Sequence, residues 1–263
     1  MLSDEDLDRY ARHLVLREVG GVGQAKIRKS RVLIVGAGGL GSPAALYLAA
    51  AGIGAIGLVD DDAVSLSNLQ RQILFRTADV GRAKVDAGHE ALKALNPGVQ
   101  IDVHHTRLKA GNVMALIGGY DIVADGSDNF ATRFLLNDAC FFAEKILVSA
   151  AVTEFEGQLA TYKAFDRSRP YPCYRCLFPA PPAPGTVRSC SETGVLGAAA
   201  GVMGSLQALE VLKEAAGLGT GLAGKILTFK ALNAEFRTAR LAPDPACPLC
   251  GSAPTIHALD GHG

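Results

Sequence analysis

The apolar and polar positions along the chain fall into two regimes. In the first, short continuous apolar runs alternate with stretches of helical period. Residues 32–35 (VLIV) are unbroken and β-branched, the pattern of a parallel strand covered on both faces. A second such strand follows at residues 55–59, a short buried one at 121–124 and another at 146–151, while Val99, Ile101 and Val103 alternate as a strand. Helices fit between them, at residues 42–51, from Gly81 to a stop at Asn96-Pro97, and at 130–143. Strict alternation of β and α implies a doubly wound, mostly parallel sheet.

After Ala151 the regime changes. Residues 156–165 and 225–241 read as antiparallel strands, and residues 193–216 as a small-residue, apolar helix. Residues 178–190 hold four prolines and no periodicity, which predicts a loop. At the other end, residues 3–19 read as one helix, with Ser3 as N-cap, Leu7, Tyr10 and Leu14 on its apolar side, and Gly20-Gly21 ending it. Arg9, Arg12 and Arg17 lie off that side.

Charge and composition remove several function classes. Lys plus Arg and Asp plus Glu both total 26 in 263 residues, so the net charge is zero. That balance lacks the basic footprint of a nucleic-acid-binding domain and of a polybasic membrane-surface protein. No charged residue occurs from 32 to 59, but seven glycines and Pro43 interrupt the stretch, so it reads as strand, glycine turn, helix and strand instead of a membrane span. The acidic start, MLSDEDLDRY, is unlike a signal peptide, and a cytoplasmic location is expected.

Gly36-x-Gly38-x-x-Gly41 follows a strand and opens a helix, with Asp60 about twenty residues on, which is the dinucleotide fingerprint in its required context. Bare backbone can approach phosphate there, and a helix N-terminus favours anions. Asp60 suits a ribose hydroxyl, and its neighbours Asp61 and Asp62 read as solvated. Beyond the fingerprint stand Ser67, Asn68, Leu69, Gln70 and Arg71, then Lys84. A guanidinium and an ammonium beside a phosphate loop suit a triphosphate better than a dinucleotide. Asp128, followed by Asn129, falls at the carboxyl end of a parallel strand, where a carboxylate can hold the Mg²⁺ that accompanies ATP.

Cys173-Tyr-Arg-Cys176 and Cys247-Pro-Leu-Cys250 are two CxxC pairs, the pattern of a tetrahedral Cys₄ zinc site. Redox dithiols are the other reading of the pairs. Four thiolates leave zinc no open position, so the site is expected to be structural. Cys140 reads as core. Cys190 lies at the end of the proline-rich loop, before a helix start, where a thiol can have a lowered pKa.

Taken together, Arg9-Tyr-Ala-Arg12, the 32–41 loop, residues 67–72, Lys84, Ser127-Asp128-Asn129 and the CxxC pairs resemble the ubiquitin-activating-like adenylyltransferases of the MoeB/ThiF group. The resemblance covers nearly the whole chain. It implies ATP-dependent adenylation of the C-terminal glycine of a small ubiquitin-like sulfur carrier ending in Gly-Gly, in molybdopterin, thiamine or tRNA-thiolation chemistry. It also implies a homodimer in which Arg12 reaches the partner subunit's phosphates, and catalytic roles for Arg71, Lys84 and Asp128. Cys190 matches a loop cysteine that bonds to the carrier in some members and is dispensable in others. Residues 172–179 resemble the eukaryotic member that carries an extra rhodanese domain. None follows Cys250 here, so sulfur is expected from a separate donor, such as a cysteine desulfurase or rhodanese. The expected organisation is a helical arm over residues 1–30, an ATP-binding Rossmann-like part over 31–151, and strands, crossover loop and zinc site over 152–263 in the same compact domain. A tRNA-modifying dehydratase of the same superfamily, a non-catalytic binding member and an NAD-dependent oxidoreductase are the alternatives.

Overall fold

The computed structural model describes residues 2–166, 168–182 and 194–262. Its single sheet runs in the order β3-β2-β1-β4-β5-β6-β7-β8. These strands are β1 (Arg31–Val35), β2 (Ala55–Val59), β3 (Gln100–His104), β4 (Ile122–Asp125), β5 (Ile146–Thr153), β6 (Glu156–Tyr162), β7 (Lys225–Lys230) and β8 (Glu235–Arg240). Pairings from β3 to β5 are parallel, with Val32 opposite both Ile56 and Ile122. From β5 onward every pairing is antiparallel, beginning with the tight hairpin that sets Thr153 against Glu156.

Both faces of β1 are covered, which is why its sequence does not alternate. Val32 and Ile34 pack with Leu48 of α4 (Gly41–Ala50), Val85 and Leu92 of α5 (Lys84–Leu95), and Met203 and Val211 of α9 (Gly197–Ala216). Leu33 and Val35 face the opposite layer, with Val113 and Ile117 of α6 (Ala110–Gly118) and Phe134 and Leu136 of α7 (Phe130–Phe142). Truncating a fully buried side chain such as Leu48 to alanine costs roughly 2–5 kcal/mol. Among the described residues, no helix is long and apolar enough to cross a membrane.

The α/β sheet with an antiparallel continuation is as expected, and several element boundaries are not. The N-terminal helix is broken at Tyr10 into α1 (Asp4–Arg9) and α2 (Ala11–Leu14), and Gly20, expected to end a helix, opens α3 (Gly20–Lys29). Tyr10 leaves helical geometry because its buried hydroxyl accepts from Asn96 Nδ2 at 2.8 Å, at the end of α5. Gly23, Gln24 and Ile27 recur at helical spacing and are buried, which sustains α3 through the glycines. α5 starts at Lys84 and not at Gly81, β6 ends at Tyr162, and the last expected strand is a hairpin of two. Ser3 caps α1 in a capping box with Asp6. The sequence reading had no element at α6, nor at the short α8 (Tyr174–Leu177).

Candidate functional site

The strand order reverses between β1 and β4, and a cavity of about 420 Å³ opens at the carboxyl ends of β1, β2 and β4. Ligands of open α/β sheets bind at such a switch point. Of the residues singled out from the sequence, Gly36, Gly38, Gly39, Asp60, Asn68, Arg71, Lys84, Asp128 and Asn129 line it. Gly36 has φ +87°, and a Cβ on Gly41 would lie 1.9 Å from the Gly36 carbonyl oxygen, so the turn closes only on bare backbone.

Asp60, at the end of β2, is clamped to that loop. One carboxylate oxygen accepts from the Ala37 N–H at 2.8 Å and the other from the Asp62 N–H at 2.9 Å. Burial pushes the Asp60 carboxyl above its ordinary value, and the Lys84 ammonium and the two N–H donors pull the other way. Lys84 is itself only 4% exposed, with Nζ 2.7 Å from Asp62 and 3.6 Å from Asp60. Asp62, expected to be merely solvated, is thus the counter-ion of Lys84, because an antiparallel bridge between Ala63 and Ala83 runs it alongside the start of α5, where the Lys84 N–H donates to the Asp62 carbonyl at 3.0 Å. Arg71 is half-buried and donates to the Ser67 carbonyl at 3.3 Å.

Asp128 is exposed on a loop fixed from below. The buried Asp125 accepts from the Ser127 N–H at 3.0 Å, the Ser127 hydroxyl at 2.6 Å and the Ser149 hydroxyl at 2.8 Å. Gln207 of α9 donates to the carbonyls of Asp125 and Val148 at 2.8 and 2.9 Å. Asn129 caps α7 by accepting from the Thr132 N–H at 2.9 Å. Asp125, Ser149, Gln207 and Asp62 were missed in the sequence. A buried acid at a strand end, just before Gly126-Ser127, was the signal available for Asp125.

A second cavity, of about 260 Å³, adjoins the first. The two share Asp128 and Val152. Its lining includes Phe130 and Arg133 of α7, Leu159 and Tyr162 of β6, Ile226 of β7, and Tyr174 and Phe178. It is an apolar groove over the antiparallel strands, with Arg133 the one basic residue of its lining among the described residues; an Arg133 Nη donates to the Ser127 carbonyl at 2.5 Å.

The four CxxC sulfurs lie within 4.8 Å of one another, with Cys173–Cys247 at 3.5 Å and Cys176–Cys250 at 3.4 Å. Tetrahedral thiolates at the usual zinc–sulfur bond would stand ~3.8 Å apart, so the donor set fits that ion. The Cys176 thiol is driven below its ordinary value because the Cys173 and Cys250 thiols donate to it. Cys140 is core as expected, and burial raises its thiol pKa. Gly41, Ser67, Leu69 and Gln70 do not line the cavity. Arg12 is exposed and is not brought to either cavity by its own chain. Cys190 lies outside the described residues.

These features correspond to known proteins. The ThiF family matches residues 10–249, and the chain belongs to that family, which bears out the resemblance read from its motifs. It is 48% identical over 259 residues to the adenylyltransferase and sulfurtransferase MOCS3 of Anopheles gambiae, covering 98% of this chain and 58% of that protein. The MOCS3 of Bos taurus is 49% identical over 262 residues, with 99% and 57% covered. The sulfur carrier protein adenylyltransferase of Thermus thermophilus is 46% identical over 256 residues, with 97% and 94% covered. The chain therefore spans little more than half of the MOCS3 relatives and nearly all of the Thermus one. Among solved structures, the crystal structure of E. coli MccB superimposes with a TM-score of 0.82 at 21% identity, over 97% of this chain and 75% of that chain. PaaA does so with a TM-score of 0.78 at 23% identity, over 92% and 76%. At these identities the likeness establishes the fold alone.

Proposed function

We propose that the chain adenylates the C-terminal glycine of a small ubiquitin-like sulfur carrier with ATP, readying it for thiocarboxylate formation. The names of the relatives support this, and the observation that carries it is the junction of a polar, glycine-walled cavity with an apolar groove at Asp128. A nucleotide fits the first, and an extended carrier tail the second. The tail's carboxylate then meets the α-phosphate at the shared wall. Its oxygen bonds to phosphorus as the bond to the β-phosphate oxygen breaks, and pyrophosphate leaves.

The chain's own groups serve this by charge and position. The loop N–H groups of Gly38 and Gly39 and the α4 N-terminus would face the phosphates, since those of Gly36 and Ala37 are taken by the Val59 carbonyl and Asp60. Asp60 accepts from the ribose. Lys84 and Arg71 offset charge on the phosphate oxygens, Lys84 exchanging its Asp62 contact for phosphate. Asp128 has no hydrogen-bond or ion-pair partner among the described residues and faces both cavities, as a ligand for Mg²⁺ should. When bound there, Mg²⁺ would supply further charge neutralisation at the phosphates. Cys173, Cys176, Cys247 and Cys250 would hold a structural zinc.

A homodimer completes the site in this reading. The arm is anchored to its own chain by Tyr10, by Arg9 on the Leu95 carbonyl and by Gln24 on the Ala51 carbonyl. Arg12 is left exposed, as are Val15 and Val22 of the same arm, at 76% and 74%. Mixing inactive Arg12→Ala and Asp128→Ala chains should then restore about a quarter of the sites once subunits exchange. No recovery after demonstrated exchange would place Arg12 outside the partner's site. The reaction itself is tested by ATP–pyrophosphate exchange. It should require a recombinant carrier ending in Gly-Gly and fail with the same carrier amidated at its C-terminus; exchange independent of the carrier would overturn the assignment.

A further inference from the structure

We propose that the Asp138–Arg175 ion pair is a positioning device that registers the wall of the carrier-tail groove against the helix carrying the reacting centre. This rests on the reading of the groove given above.

Asp138 of α7 is fully buried, a place where an unpaired carboxylate is costly. Its Oδ1 accepts from Arg175 Nε at 2.8 Å and Asn137 Nδ2 at 2.9 Å. Its Oδ2 accepts from Arg175 Nη2 and His262 Nε2, both at 2.7 Å. The remaining guanidinium nitrogen donates to the Pro179 carbonyl at 3.2 Å. Arg175 also stacks 4.7 Å from the centroid of Phe134. Next to it, Asn137 Oδ1 accepts from the Tyr174 N–H at 2.8 Å. Positions 134, 137 and 138 share one side of α7, and together they grip the turn that holds the first CxxC pair.

Arg175 lines neither cavity, but its neighbours do. Tyr174 and Phe178, on either side, form part of the groove wall, their rings 5.0 Å apart, and Tyr174 meets Tyr162 of the groove floor at 5.9 Å. α7 begins immediately after Asp128-Asn129. One helix therefore carries Asp128 at its head and grips the groove wall two turns later. A buried ion pair is a weak source of stability compared with an apolar pair of the same volume. What a bidentate guanidinium–carboxylate pair does provide is a fixed direction. Here that direction sets the distance between the wall touching the tail and the carboxylate at the tail's end. The cysteine knuckle thereby serves substrate placement as well as stapling the C-terminal segment.

The test uses the zinc-loaded full chain, with Arg175→Met and the charge-keeping Arg175→Lys, and a recombinant Gly-Gly carrier. Carrier KM should rise roughly tenfold or more in Arg175→Met and by less in Arg175→Lys, because misplacement weakens a contact that ATP does not use. ATP affinity by titration and zinc content should stay at wild-type values in both. An unchanged carrier KM in both variants overturns the proposal. So does a parallel loss of zinc and ATP affinity in Arg175→Lys, which would make the pair a prop of the fold only. Wild-type protein without carrier-dependent exchange would instead sink the functional reading, a result read before any variant is made.

Discussion

The two cavities that meet at Asp128 are built by opposite means. The larger is made of backbone and charge: glycines, strand ends, Asp60, Lys84 and Arg71. The smaller is made of side-chain surface: Phe130, Leu159, Tyr162, Tyr174, Phe178 and Ile226. Phosphate is the same in every ATP, so fixed N–H groups and a few cations suffice. A peptide tail must be held along its length, and only shape can do that without charge. On the proposed function a reaction between the two would need a shared wall, and Asp128 and Val152 line both cavities.

The sharpest way to break this comparison is at the wall. Asp128→Ala should abolish carrier-dependent ATP–pyrophosphate exchange, and Arg71→Ala should cost on the order of 10²–10⁴ in rate, with the fold intact by circular dichroism. Near-normal exchange in either would remove that residue from the mechanism. The next effect is on stability. Cys247→Ser should release the metal and lower the melting temperature, since metal binding by such a set is coupled to folding. ATP affinity measured below the new transition should barely move, because none of the four cysteines lines the larger cavity. Full stability in metal-free protein would count against a structural zinc.

A groove substitution separates the two cavities directly. Ile226→Glu places a carboxylate on the apolar floor and should raise carrier KM roughly tenfold while ATP affinity holds. Equal losses for both substrates would show that the cavities are not independent. The smallest effect concerns pH. Because burial raises the Asp60 pKa, the group takes up a proton at higher pH than an exposed aspartate would. On acidification, ATP affinity should therefore start to fall above the ordinary carboxylate range. Asp60→Asn should bind more weakly at neutral pH and lose that acid limb. An unchanged limb in the variant would assign it to another group.

The larger cavity was legible in the sequence and the smaller one was not, for a physical reason. Glycines, acids and bases at the ends of parallel strands occupy short motifs: residues 36–41, Asp60, 67–72, Lys84 and 128–129. Each is conspicuous locally, because apolar strands frame it. The groove draws Tyr162, Tyr174 and Ile226 from segments far apart, and in sequence each is an ordinary apolar position. The β6–β7 pairing, which sets Ala160 opposite Ile226, puts Tyr162 and Ile226 on one face, and α8 brings the Tyr174 ring against Tyr162. Asp62 escaped because a run of three acids reads as solvated. Tyr10 broke the expected N-terminal helix because its partner, Asn96, is 86 positions away. Arg12 was conspicuous in its motif, yet no single chain can reveal what it faces.

The change of strand direction at β5 also sets a clock. Parallel neighbours here close long loops: Val32 must find Ile122, 90 positions on (122 − 32). The β5–β6 hairpin turns within a few residues at Thr153 and Glu156. Loop-closure entropy makes non-local pairing slow, whereas a hairpin forms in roughly 1–10 μs. The β5–β6 hairpin is therefore expected to form ahead of both the β1–β4 pairing and the β6–β7 pairing, which joins Ala160 to Ile226 across 66 positions (226 − 160). The floor of the groove and the central strands under the phosphate loop thus wait on the same kind of long-range closure, and a hairpin alone completes neither cavity.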